Sequence, residues 1–372
     1  MAISAVRWLL RRLSTLIRPL PHRALALPPE IILIIVTYLD NPSTIALSLT
    51  CQSLHALCFS RALHLNAQEK EYLLLSLERD VPNLYFCHRC TKLHPWHPRW
   101  GYAHHKYYKT LPCQHHHDKG LMLLPHLWWF SYHHARLFVN RHLYGPAHGL
   151  SLDRLDHNSR IHLLEPYKTK VVYSESLQAR ILDDRLLLSA TTTMSNAKGE
   201  VRSLRDYVDE QGDLICPHLT MSRRRGKYVP VQLPELNVER AKEVGRLGGV
   251  AVPSSVGESD GLGYFAPCRE SLGSCSVCLT DYDINITWND GKSAFIITIS
   301  TYHDLGQCRS PYDWSWRALT TRNRIGTSRR AHEQDCGVGV VRDRWNKVDR
   351  GNDRGLGQWV DMPRLLDTAE SK

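Results

Sequence analysis

Leu27-Pro28-Pro29-Glu30-Ile31-Ile32-Leu33-Ile34-Ile35-Val36-Thr37-Tyr38-Leu39 is the stretch that decides how the first part of this 372-residue chain folds. Proline is tolerated in a first helical turn, where its missing N–H has no partner to lose. Glu30 falls beside the positive end of the helix dipole. The spacing therefore predicts a helix that opens at the prolines. It is apolar nearly all round, so it must be covered on several sides. Asp40-Asn41-Pro42-Ser43 stops it and starts a second helix, in which Ile45, Leu47 and Leu49 are apolar. Cys51, Leu54 and Leu57 continue as a third short helix after a bend. Three short helices in about 40 residues bury little surface alone and gain from a partner.

Upstream, residues 1–24 hold five Arg and no acidic residue. Apolar residues recur there at helical spacing, from Val6 through Leu20, with the Arg largely opposite. A basic amphipathic helix of this kind suits a mitochondrial presequence or a surface anchor, or it is simply a flexible leader. We expect the flexible leader. Downstream, Leu63, Leu65 and the run Glu69–Leu77 read as a connecting helix over 67–81, ended by Asp80-Val81-Pro82-Asn83.

Beyond residue 82 the pattern changes. Tyr282–Trp288 alternates strictly, Asn289-Asp290-Gly291-Lys292 is a turn, and Phe295–Ile299 returns as a hairpin partner, giving a strand hairpin near 281–301. Shorter strand candidates are Lys170–Tyr173, Ile181–Ser189 and Leu214–Met221. After about residue 320 the chain is rich in Arg, Gly and Asp with little periodicity, and a disordered basic tail is expected over 321–372. The fold class is α+β: a small all-helical module at 25–66, the connecting helix, then a mixed α+β domain at 82–320.

Lys plus Arg outnumber Asp plus Glu by 47 to 37, and the isoelectric point is about 9.1. Such a balance suits acidic partners, nucleic acid or membrane surfaces without choosing among them. Arg223-Arg224-Arg225-Gly226-Lys227, and Arg329-Arg330 with Trp314 and Trp316, are the segments suited to phosphates and bases. No helix-turn-helix, finger or RNA-binding signature accompanies them, so nucleic acid is the lesser reading. No stretch approaches the roughly 20 uncharged apolar residues of a membrane-spanning helix. Arg7, Arg11 and Arg12 interrupt the apolar start of the chain, so no signal-peptide core is expected there. The chain is expected in cytoplasm or nucleus, with mitochondria as the alternative. Its 11 Cys are then reduced, and clustered Cys are metal ligands or core thiols before they are disulfides.

Cys87-His88-Arg89-Cys90 and Cys275-Ser276-Val277-Cys278 are two Cys-x-x-Cys knuckles, a spacing at which one turn aims two thiolates at a tetrahedral metal. A closed structural zinc site needs two further ligands for each pair. Candidates are Cys113, His115 and His117 for the first, and Cys268, His303 or Cys308 for the second. The two pairs could also share one ion. Thirteen of the 21 His lie between His88 and His148, including His115-His116-His117-Asp118 and His133-His134. Adjacent His on one element point in different directions, so such a run is not itself a chelate. Neither a His-Glu-x-x-His nor a deaminase arrangement is present, which argues against a metalloenzyme.

Leu27-Pro28-Pro29-Glu30, then Tyr38-Leu39-Asp40, then Leu47 and Leu49, then Cys51-Gln52-Ser53-Leu54 resembles the F-box. The resemblance implies a module that binds the Skp adaptor of a cullin–RING ubiquitin ligase, and a non-catalytic receptor for a protein client. Leu27, Pro28, Ile31, Ile34, Leu39, Leu47 and Leu54 form the expected adaptor-facing and F-box core set, undivided at this level. Further motifs are Phe86-Cys87-x-x-Cys90-x-x-Leu93-His94-Pro95, Asn140–Gly149, Ile215-Cys216-Pro217-His218-Leu219, Cys275-x-x-Cys278-x-Thr280-Asp281-Tyr282 and Asp304-Leu305-Gly306. In this order they are similar to the C-terminal region of a large group of F-box proteins of filamentous fungi. That similarity covers residues 25–320 and supplies a role without naming a client.

Overall fold

The prolines do open a helix, α1 (Pro29–Tyr38), with Pro28 at its N-cap and Glu30 in its first turn. The computed structural model describes residues 27–58, 64–97, 121–124, 128–163, 171–196, 201–210, 214–222, 228–231, 233, 235–236, 246–247, 250–251, 264–265, 267–289, 294–320 and 337–347. The basic leader and the 223–227 Arg run lie outside them. The chain divides into two compact units, Met1–Pro95 and Trp96–Lys372.

In the first unit Asp40 caps α2 (Asn41–Ser48) by accepting a 2.8 Å hydrogen bond from the Ser43 amide. Then follow α3 (Gln52–Cys58) and the longer α4 (Ala67–Asp80). Asn66 and Glu69 form a reciprocal capping box at the start of α4, two orphan amides each satisfied at 2.8 Å. A hairpin, β1 (Leu84–Cys87) and β2 (Lys92–Pro95), lies against α4. Leu73 and Leu77 of α4 meet Phe86 and Leu93 of the hairpin, with Ile45 and Ala46 of α2 and its C-cap Leu49 around them. Buried Glu78 accepts the Phe86 amide at 2.9 Å, which fixes the hairpin to the end of the helix. The boundary expected at residue 82 therefore moves to Pro95. Phe86 and Leu93 have their core on α4 and not in the domain that follows. α1 also departs from expectation: no residue of this apolar helix is buried.

The second unit is built on a six-stranded antiparallel sheet. After a short hairpin of β3 (Leu121–Leu124) and β4 (Trp128–Phe130), its strands are β5 (His157–Leu163), β6 (Val171–Leu182), β7 (Arg185–Asn196), β8 (Cys268–Ser274), β9 (Thr280–Asn289) and β10 (Ala294–Asp304), in the order β8-β9-β10-β7-β6-β5. The expected hairpin is β9–β10, with Trp288 opposite Phe295 and Tyr282 opposite Thr301. Residues 290–292 of its turn lie outside the described residues. One face carries Val171, Tyr173, Met194, Ile284, Ile286, Ile297 and Ile299, covered by Leu204, Tyr207 and Val208 of α5 (Val201–Glu210). The other carries Ser and Thr, whose hydroxyls pair across strands at Thr191–Ser300 (3.3 Å) and Thr193–Thr298 (3.4 Å). This is the one-sided alternation of an antiparallel sheet with one wet face.

Two strand expectations need correction. Ile181–Ser189 is not one strand but the tip of the β6–β7 hairpin, with Asp183 and Asp184 at φ 51° and 58°. Two consecutive left-handed residues make the tight turn that suits strand twist, and Asp tolerates that region better than most residues. Of Leu214–Met221 only Leu219–Thr220 is strand, paired in parallel with Val229–Pro230. The preceding residues turn too tightly for an extended ladder, since the Ile215 amide already donates to Leu219 O at 3.0 Å.

The tail expectation also fails in part. A helix, Val340–Asn346, lies within the expected disordered segment and packs on β9 and β10. Val341 and Trp345 are buried; Arg180 lies 4.4 Å over the Trp345 ring and donates to the Trp345 carbonyl. Buried Asp281 accepts the amides of Val341 (2.8 Å) and Arg342 (3.1 Å). Asp304, fully buried, accepts Arg185 at 2.9 Å and the guanidinium of Arg344. A carboxylate without exposure needs such charged partners, and breaking one side would strand the other. Residues 321–336 and 348–372 lie outside the described residues. Trp345→Ala is expected to lower the unfolding free energy of this unit by about 3–5 kcal/mol, as for a buried Trp truncation. Urea unfolding followed by far-ultraviolet circular dichroism measures it, and an unchanged midpoint would return the helix to the disordered tail.

Candidate functional site

The adaptor-facing set read from the sequence separates into two groups in the structure. Leu27, Pro28, Ile31 and Ile34 are exposed, Ile34 by 53%, and Leu33, Ile35 and Tyr38 join them, the last at 86%. Leu39 and Leu47 are half-buried, and Leu54 at 3% exposure is core. The sequence puts all seven in one set because helical apolar spacing does not say which side a neighbour occupies. The result is a helix whose apolar surface faces solvent along its length. Contiguous exposed apolar surface of this kind marks an interaction site on a folded domain.

Two Cys/His clusters occur among the described residues. The first sits on the β1–β2 hairpin of the N-terminal unit. Cys87 ends β1, residues 88–91 turn with Thr91 at φ 47°, and His94 lies on β2. Cys90 Sγ is 2.9 Å from His94 Nε2, and the ligand atoms of Cys87, Cys90 and His94 all lie within 4.8 Å of one another. Burial, with the Lys92 charge, holds His94 below the ordinary histidine range, so its imidazole is neutral at pH 7 and has a lone pair to offer. His94 was missed in the sequence, although Cys-x-x-Cys-x-x-x-His is visible there. Cys113, His115 and His117, the candidates put forward, lie outside the described residues.

The second cluster is wholly within the C-terminal unit: Cys216, His218, Cys275 and Cys278, all four buried, with every ligand atom within 4.8 Å of the others. His218 Nδ1 is 3.8 Å from Cys216 Sγ and 3.7 Å from Cys275 Sγ. Cys216 and His218 come from the tight bend before Leu219, in which the Leu219 amide also donates to Cys216 O at 3.3 Å. Cys275 and Cys278 come from the β8–β9 turn, closed by Cys275 N donating to Thr280 O at 2.8 Å. The Val277 amide points at Cys275 Sγ (3.4 Å). Gly273 just before this turn has to be glycine, because a Cβ there would lie 2.1 Å from the Tyr282 ring. Hydrogen bonds from the Cys216 and Cys278 thiols, with His218 beside it, hold Cys275 well below the usual thiol range. Burial pushes Cys216 and Cys278 up. The cluster thus concentrates three thiol sulfurs and one imidazole nitrogen, all buried, in one place.

Cys268, His303 and Cys308, the expected partners of Cys275 and Cys278, are not in this cluster. Cys268 Sγ faces the Ile284 carbonyl at 3.7 Å. Cys308 Sγ faces the carbonyls of Leu305 and Gly306. His303 has both ring nitrogens engaged, Nδ1 with Thr280 Oγ1 at 3.0 Å and Nε2 with Thr301 Oγ1 at 3.2 Å. The proposal of one ion shared by the two Cys-x-x-Cys pairs is likewise replaced, since each pair finds partners near its own turn. His134 of the adjacent-His motif is tied to Ser131 at 2.8 Å, and Trp316 is packed against Phe130 and Tyr132, so its ring is not presented to a base.

Burial pushes His303 down to about 4. A histidine unfolds to a pKa of about 6.5. Above that pH both states are neutral; below it the unfolded chain takes a proton that the folded chain refuses, so stability falls as pH falls from about 6.5 to about 4. Between pH 7 and pH 5 this costs about 2 kcal/mol. His303→Gln should lose about that much less than the wild type over the same interval. Paired denaturant titrations at the two pH values give the difference, and parallel losses in both proteins would refute it.

No curated protein and no solved structure matches the chain. Residues 24–66 match the F-box-like family model, a span that contains α1, whose apolar side chains are exposed.

Proposed function

We propose that this chain is a substrate-recognition subunit of an SCF-type cullin–RING ubiquitin ligase. The F-box-like segment would hold the Skp adaptor, and the C-terminal unit a protein client. The reading extends to the fungal F-box proteins whose motif order the chain is similar to, and to a cytoplasmic or nuclear location. It is non-enzymatic: ubiquitin transfer belongs to the partner subunits, and the receptor contributes proximity. Any metal in the Cys/His clusters is, in this reading, structural zinc.

The observation that carries this is α1. Six large apolar side chains from Leu27 to Tyr38 stand exposed on a segment that matches the F-box-like family. A helix-in-groove partner buries such a face, and each Leu or Ile contributes about 1.5–3 kcal/mol when fully buried. These residues are not core. Their loss should therefore weaken binding without weakening the fold, which a purely structural role would not allow.

The Leu27→Ala, Pro28→Ala double variant is expected to bind the Skp adaptor at least tenfold more weakly, because 1.4 kcal/mol is a factor of ten. Ile34→Glu should lose more, since it puts a charge into the same face. Both should keep the wild-type unfolding free energy, whereas Leu54→Ala should lower it by about 2–5 kcal/mol. Calorimetric titration of the full chain with purified adaptor tests this. Undiminished affinity in both surface variants would overturn the F-box assignment of α1.

A further inference from the structure

We propose that Cys216 Sγ, His218 Nδ1, Cys275 Sγ and Cys278 Sγ are the four ligands of a closed, tetrahedral zinc site that holds together the base of the C-terminal unit. The inference is independent of adaptor binding, because none of the four residues belongs to the F-box-like segment.

Ligand identity and number come first. Three thiolates and one imidazole make a Cys3His set, and structural zinc sites are four-coordinate with all positions filled by protein. Zn–S near 2.3 Å and Zn–N near 2.0–2.1 Å put neighbouring ligand atoms of a tetrahedron about 3.5–3.8 Å apart. The two S···N separations here are 3.7 and 3.8 Å. The side chains stand at a metal's spacing, wider than a good hydrogen bond. A disulfide is the competing use of such thiols, yet none of the three is in one.

Position supports the same conclusion. All four groups are buried, in a unit where the buried carboxylates of Asp281 and Asp304 are held by backbone amides and by arginine. Three thiols and an imidazole gathered without a cation would be an expensive way to fill a core, because buried polar groups cost free energy unless well partnered. A dication takes the place of the thiol protons and turns mutual repulsion of thiolates into ligation. Outer partners are in place as well. Thr280 Oγ1 lies 3.2 Å from Cys278 Sγ and 3.0 Å from His303 Nδ1, and the Val277 amide lies 3.4 Å from Cys275 Sγ. Hydrogen-bond donors to ligand sulfur are the usual second layer of a metal site. His303 thus supports a ligand from behind and is not one itself.

The consequence for the fold follows from where the ligands come from. His218 and Cys275 bracket residues 219–274, a long excursion that leaves from one metal ligand and returns to the next. The ion would pin both ends of that excursion to the edge of the sheet at the β8–β9 turn. It leaves no open coordination position, so its role is to fix geometry and not to bind substrate.

The test uses the full chain with Cys87→Ser and Cys90→Ser introduced, so that the other cluster lacks both its thiols. This protein, purified without chelator, is expected to hold one zinc per chain by elemental analysis. Exchange with cobalt(II) is expected to give the intense visible bands of a tetrahedral thiolate site. Adding Cys278→Ser should abolish the stoichiometric metal, whereas Cys268→Ser or Cys308→Ser should retain it. Should Cys278→Ser fail to fold, His218→Cys provides a second arm. It should keep one metal, with the cobalt spectrum moved to that of four thiolates. Zinc-free, well-folded protein would overturn the site, as would retention of the metal by Cys278→Ser. A cobalt spectrum unaltered by His218→Cys would remove His218 from it.

Discussion

The ladder between β7 and β10 is the constraint on which the C-terminal unit rests. It pairs Leu187 with Asp304 and Ser195 with Ile296, joining segments more than 100 residues apart in the chain. On one side it carries the β6–β7 hairpin; on the other, the β9–β10 hairpin and through it the β8–β9 turn with its cysteines. Contacts this distant in sequence bring loop-closure cost before they bring stability, which is a cost that a hairpin alone does not face. The buried Asp304 at the end of β10, taking Arg185 from the start of β7, fixes the register at the point where slippage would begin.

Seen from that seam, the two clusters of cysteine and histidine answer different structural problems. The hairpin cluster sits at the mouth of a four-residue turn in a small unit with a modest core, where a small scaffold most needs an added tie. The buried quartet joins two places separated by residues 219–274. Closing a loop of some 50–60 residues with a fixed link removes about 4 kcal/mol of unfolded-state freedom on the chain-entropy account. That is comparable to the whole stability margin of many domains.

The sequence was most legible where one periodicity ruled. Alternation from Tyr282 to Trp288 gave β9 because one face is core and the other is wet, and the proline-led apolar run gave α1. It was least legible where the reason for a residue lies in a distant neighbour. Cys216-Pro217-His218 is an unremarkable spacing until the β8–β9 turn stands beside it. Asp183-Asp184 lacks the glycine that usually advertises a tight hairpin turn. The helix at 340–346 was hidden by its own composition: Arg342 and Arg344 read as a polar tail, yet Val341 and Trp345 on either side of them are buried, and Arg342 with them. Leu54 and Ile34 look alike in a helical pattern, and only the packing of α3 separates core from surface.

The strand order also sets a schedule for the ribosome. β7 ends at Asn196 and its later neighbour β10 ends at Asp304, so 108 further residues must be synthesised before that edge is complete. At roughly 5–20 residues per second this leaves the edge of β7 away from β6 without a partner for about 5–20 seconds. The strand includes Leu186, Leu187 and Leu188, all of which end fully buried. An edge of that kind is a template for pairing with another nascent chain. Slow codons placed downstream of residue 196 would prolong the wait, and a holding chaperone is the cellular remedy for it.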